Sequence, residues 1–170
     1  MKAYKLFRIK NGVLFPLYVN ASTPTPLGEW LPATSGEMTN DGKVKSKLGK
    51  LAYRPGWHCS LYPIATHIGA KANPKDSKPS FRPNDQVWAE VEIEDSIDYQ
   101  PIADQQGKHA RDKQLKYIPR HGYYSYKTNP NMYGTWLIAG DIKVNKILSD
   151  AEVMKINSEI GVMDLPRKAA

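Results

Sequence analysis

A single cysteine, Cys59, stands in 170 residues, so no internal disulfide can staple the fold, and the usage agrees with a reducing compartment. No apolar run approaches the ~20 residues that a membrane helix requires; stretches such as Trp136 to Ala139 are far shorter. The first residues lack the apolar block of a signal peptide, so the expected location is the cytoplasm and no membrane partner is expected. Also missing are a phosphate-binding Gly loop, a dinucleotide fingerprint, a Gly-x-Ser-x-Gly elbow and a kinase signature. Their absence puts the commonest nucleotide-hydrolysing and hydrolase classes out of reach. Without a Cys-x-x-Cys or His-x-x-x-His pair, no metal is expected, and no internal repeat marks a solenoid.

What is present is an ordinary globular composition, 41% hydrophobic and 24% charged, over a length suited to one domain spanning 1–170. The net charge of +7 favours contact with polyanions, because each neutralised phosphate releases a counterion. Lys43, Lys45, Lys47 and Lys50 alternate with small or apolar residues. Such a row serves a nucleic acid or forms a plain solvated face.

Tyr4 to Ile9 reads as a strand, Asn11-Gly12 as a tight turn and Val13 to Val19 as the returning strand, with Pro16 demoting that arm to an edge or bulge. Gln86 to Glu94 is the clearest strand: Val87, Ala89, Val91 and Ile93 fall on one face, Trp88, Glu90, Glu92 and Glu94 on the other. Gly122 to Lys127 and Thr135 to Ile147 add strands, the latter broken near Gly140-Asp141. Ser149 and Glu152 have capping-box spacing ahead of Val153, Ile156 and Ile160, with Gly161 as a stop, which predicts a short amphipathic C-terminal helix. Flexible loops are expected at about 32–50 and 69–85, no structure is assigned to Asp104 to Lys116, and the tail 165–170 has no evident anchor. The expected class is α+β: a mixed, mostly antiparallel sheet with few short helices and long loops.

The densest chemistry lies in Arg54-Pro55-Gly56-Trp57-His58, followed by Thr66-His67-Ile68-Gly69. A Pro-Gly turn at a strand end can project Arg54 to fork onto phosphate or carboxylate and His58 to exchange a proton, with Trp57 as a wall. The same residues also suit plain packing. His67 is the natural partner of His58 if the chain folds back at Tyr62-Pro63. Glu90 and Glu92 share a strand face about 7 Å apart, a spacing used in mono-ADP-ribosyl transfer and equally produced by any solvated strand. Tyr124 and Tyr126, flanked by Arg120 and Lys127, can stack on a base or simply build a strand. Cys59 beside His58 does not make a nucleophile and base pair, because neighbours on a strand face opposite ways.

Several blocks together resemble an uncharacterised family of phage and prophage proteins, also found as accessory domains of larger phage polyproteins. They include Lys5-Leu6-Phe7-Arg8, Gly28-Glu29-Trp30, the Arg54 to His58 segment, Ala65 to Gly69, Val87 to Val91 and Gly134 to Gly140. The resemblance implies a mobile-element origin and a host-cell cytoplasmic setting, and it assigns no activity.

The expected function is therefore a phage-associated accessory protein with a cleft for an anionic ligand, a nucleotide or nucleic acid, bound by Arg54, Trp57, His58, His67, Tyr124 and Tyr126. One alternative is an NAD-dependent enzyme similar to mono-ADP-ribosyltransferases, with His58, Glu90 and Glu92 as catalytic groups and NAD as cofactor. The other is an inhibitor that docks on a host protein. If the Arg54 to His58 segment is functional, alanine at either residue is expected to spare the melting curve.

Overall fold

The computed structural model describes residues 1–168. Its strands are β1 (Lys2–Lys10), β2 (Val13–Phe15), β3 (Trp30–Pro32), β4 (Val44–Ser46), β5 (Gly49–Leu51), β6 (Trp57–Ser60), β7 (Gln86–Ile93), β8 (Ile97–Asp98), β9 (Gly122–Tyr126), β10 (Trp136–Ala139) and β11 (Asp141–Ile147). Two helices, α1 (Gln100–Asp104) and α2 (Asp150–Ser158), and a 3-10 turn at Ala110–Asp112 complete the described elements. The class is thus mostly sheet, and no described helix is long and apolar enough to cross a membrane.

The main sheet has nine strands in the order β3-β11-β7-β1-β6-β10-β9-β8, with β2 added to β1. All pairings in it are antiparallel except β8 with β9. Because β10 runs into β11 through Gly140, one bent strand pairs with β6 and β9 by its first half and with β7 and β3 by its second. The ring β1-β7-β11/β10-β6-β1 therefore closes on itself. Ala3, Phe7, Cys59, Ala89, Val91, Ile93, Leu137, Ala139, Ile142 and Val144 fill its interior. The bend needs glycine, since a Cβ at position 140 collides with the Pro119 carbonyl and the Arg120 backbone.

The outward phase of the same strands is apolar where other segments cover it. Tyr4, Leu6, Trp88 and Trp136 pack with Ala65, Met132, Leu148 and Val153 in a second cluster. Leu115, Tyr124 and Ile138 form a third with Ala103 of α1. Ser149 caps α2 in a full capping box with Glu152, as the spacing predicts. Of its regularly spaced apolar residues, only Val153 is buried; Ile156 is half-buried, Ile160 lies past the last turn, and Asn157 is fully buried.

Three expectations change. The stretch expected to be a loop at 32–50 contains the β4–β5 hairpin. Its cross-strand Lys45 and Lys50 are answered by Glu37 at 2.7 Å and Asp41 at 3.5 Å, the arrangement of a solvated face. The loop at 69–85 is tied by a bridge between Ala70 and Phe81 and contributes a buried Arg82. Of the tail 165–170, residues 165–168 lie among those described, and they are anchored. Pro166 accepts from the Arg82 amide at 2.8 Å, and the Arg167 guanidinium donates to Asp150, to the Pro83 carbonyl at 2.6 Å and to the Gln86 carbonyl at 2.9 Å.

Candidate functional site

Strand β1 has a divided edge. Its start meets β6 at Tyr4↔Ser60, its end meets β2 at Arg8 to Lys10, and Lys5, Leu6 and Phe7 have no strand partner on that side. Pro16, lacking an amide proton, ends β2 at Phe15 and sends the chain away. A cleft of about 570 Å³ opens at this gap, walled by the segment after β2, the residues following β3 and the Arg54 to His58 turn.

The turn is held by packing. Gly56 has φ of 134°, and a side chain there would strike Ile138 and approach the Ala139 carbonyl, so only glycine lets the turn close against β10 where β6 starts at Trp57. Trp57 donates its indole N–H to the Leu31 carbonyl at 3.0 Å, which fixes it as a wall between β3 and the cleft. Arg54 donates Nε to Gln114 Oε1 at 2.6 Å. No carboxylate lies within 4 Å of its guanidinium among the described residues.

His58 faces outward from β6 and spends both ring nitrogens inside the protein. Nε2 lies 2.9 Å from the Arg54 carbonyl, and Nδ1 lies 2.9 Å from the Tyr126 hydroxyl. A carbonyl only accepts, so Nε2 carries the proton and Nδ1 accepts from Tyr126. Desolvation pushes its pKa down to about 4, which keeps that neutral tautomer. Desolvation also raises the Tyr126 phenol. The sequence suggested a ligand-facing proton donor at His58; here the ring is a strut that joins the turn to β9.

His67 lines the same cleft, with its ring edge-on to Trp136 at 5.0 Å. Burial, then the Arg82 charge, pushes its pKa down to about 4. Its Nδ1 is buried without a hydrogen-bond partner, a costly condition for a polar atom. Arg82 positions the loop that carries it by donating to the carbonyls of Ala65 and Ile68 at 2.9 and 2.7 Å.

Lys5 is a cleft residue that none of the candidate site motifs in the sequence contains. It sits opposite Ala89 on β7, between Ala3 and Phe7 on the inward phase of β1, and is only 9% exposed. Its Nζ donates to the His58 carbonyl at 3.0 Å and lies over the rings of Phe7 and Trp57 at 5.5 and 5.7 Å. Burial lowers its pKa. A lysine on the apolar phase of an otherwise regular strand was the available signal.

Arg54, Trp57, His58, His67 and Tyr126 therefore come together, and Lys5 joins them. Tyr124, Glu90 and Glu92 do not. Tyr124 is fully buried beneath the 3-10 segment, its hydroxyl accepting from the Leu115 amide at 3.2 Å. Glu90 is in register with Tyr4 on the outward phase of the sheet. There it contacts Lys2 at 3.4 Å and Asn145 at 3.1 Å and lines a separate, mixed-charge groove with Lys146 and Glu159. Glu92 holds the N-terminal amine at 3.3 Å. Cys59 points into the ring interior, where burial pushes its thiol up to about 11. No Asp or Glu lines the main cleft among the described residues. Comparison with protein-family models, with curated proteins and with solved structures found no match for this chain.

Proposed function

We propose that the cleft binds a small anionic ligand of about nucleotide size, as a phage-associated accessory protein working in the host cytoplasm would. One observation carries this reading: the described lining includes the Arg54 guanidinium, with no carboxylate within 4 Å of it, and no Asp or Glu at all. A site without internal counter-charge is completed by an anion brought in from outside. Its volume falls within the ~300–1,000 Å³ typical of small-molecule sites, and Trp57 and Trp136 offer apolar ring surface for the body of the ligand.

A mononucleotide fits this description better than a nucleic acid, because Lys45 and Lys50, the cross-strand lysines of the β4–β5 hairpin, already meet acids. Glycosyl transfer with NAD needs a carboxylate at the reacting carbon, and Glu90 and Glu92 face other surroundings. No observation favours docking on a host protein.

The test is titration calorimetry with AMP, adenosine and a single-stranded oligonucleotide at low and high salt. AMP is expected to bind saturably and more weakly as salt rises, and adenosine to bind less tightly. Arg54→Ala is expected to cost roughly tenfold or more in affinity. Equal affinity for adenosine, or no saturable binding of any anion, overturns the reading, and affinity that grows with oligonucleotide length transfers it to nucleic acid.

A further inference from the structure

We propose that Lys5 captures its ligand covalently, its amine condensing with the carbonyl of an anionic aldehyde or 2-oxo acid held in the cleft. This rests on the anion-binding reading above and names the class of anion.

The position of Lys5 carries the inference. Its neighbours on the inward phase of β1 are Ala3 and Phe7, and its cross-strand partner is Ala89, so the strand offers that phase to an apolar interior. A lysine buried there for structural reasons is ordinarily matched by a carboxylate. None lies within 4 Å of Lys5 among the described residues. One carbonyl, at His58, and two ring faces are all that receive its head group. With no carboxylate to answer its charge, burial away from water disfavours the ammonium and outweighs the cation-stabilising carbonyl and ring contacts, in accord with the lowered pKa. Only the free amine has the lone pair that attacks a carbonyl carbon. The residue also borders the cleft, where Arg54 supplies a charge for the ligand's carboxylate or phosphate.

The step balances without a redox partner. The Nζ lone pair forms a bond to the carbonyl carbon while the C=O π pair moves to oxygen, and a proton passes from nitrogen to that oxygen. The resulting carbinolamine expels its hydroxyl as water, using one more proton gained at oxygen and one lost from nitrogen. The products are an imine and one water.

The experiment uses the whole protein, limiting pyridoxal 5′-phosphate or glyoxylate at neutral pH, borohydride reduction and peptide mapping by mass spectrometry. Lys5 is expected to carry the reduced adduct ahead of exposed Lys43 and Lys47, and AMP is expected to slow its labelling. Lys5→Met, which places an apolar chain in an apolar site, should lose that adduct. Should this variant fail to fold, the labelling rate of the unaltered protein against pH decides. A plateau at lower pH for Lys5 than for Lys43 supports the proposal, and coincident profiles overturn it. Adducts confined to exposed lysines also overturn it. If AMP binds and Lys5 stays unlabelled, covalent capture falls and anion binding stands; if Lys5 labels and AMP does not bind, the reverse holds.

Discussion

His58 shows how one side chain changes meaning once its neighbours are known. Beside Arg54 and Trp57 in the sequence it has the look of a reactive imidazole, yet Tyr126 and the Arg54 carbonyl occupy both nitrogens. Removing it leaves two polar groups without their partner, so His58→Ala is expected to lower stability by about 1–3 kcal/mol, measured as a shift in urea midpoint. The sequence alone led to the opposite expectation, a melting curve that is spared. Acidification acts on the same residue. Above pH 6.5 the ring is neutral in folded and unfolded chains and contributes nothing to the pH dependence. Below that, the unfolded chain takes up a proton that the folded ring, at about 4, resists. Stability should therefore fall from pH 6.5 towards 4, by up to about 3 kcal/mol for this residue. His67 acts in the same direction. Urea denaturation between pH 7 and 4 measures the slope, and a His58→Gln variant with an unchanged slope would refute the assignment.

At the level of elements, the cleft exists because β1 shares one edge between two strands and because β10 and β11 are one strand turned at Gly140. Gly140→Ala forces Cβ against the Pro119 carbonyl, an overpacking that should cost about 1–3 kcal/mol. It should also loosen the amides of β10 and β11 together in hydrogen exchange. Protection lost in only one of the two strands would argue against closure through the bend. The capping box of α2 makes a milder prediction: Ser149→Ala should cost about 1 kcal/mol by thermal or urea denaturation, with anion binding unchanged, since α2 lies outside the cleft lining.

The molecule as a whole is tied together by a pair that no local pattern announces. Arg82, 3% exposed, meets Asp164 at 2.8 Å. That carboxylate also accepts from the Trp88 indole at 2.8 Å and the Ala65 amide at 2.9 Å. One acid near the C-terminus thus holds β7, the His67 loop and the 69–85 segment. Asp164→Ala strands a buried guanidinium and should cost about 3–5 kcal/mol, read by chemical denaturation. Because Arg82 also holds the Ala65 and Ile68 carbonyls on either side of His67, the same variant should weaken AMP binding. Unchanged affinity in a destabilised protein would separate the latch from the site.

Local rules were enough for what depends on neighbours in the chain. The alternation in Gln86 to Glu94, the Asn11-Gly12 hairpin and the Ser149 cap follow from backbone geometry and short-range hydrogen bonds, and β1, β7 and α2 stand where those rules put them, whereas β2 ends at Phe15 before Pro16 and does not run on to Val19. Arg54, His58 and His67 line one cleft, as a short return of the chain after β6 allows. Which groups face a ligand was decided only by the fold. Strand register sent Lys5 to the inward phase and Glu90 to the outward one, pairing of β9 with β10 placed Tyr126 at His58 and buried Tyr124 beneath Leu115, and the Asp164 latch joined residues almost a hundred positions apart. Register, burial and charge pairing arise between distant segments, so a residue's type and its immediate neighbours carry no record of them.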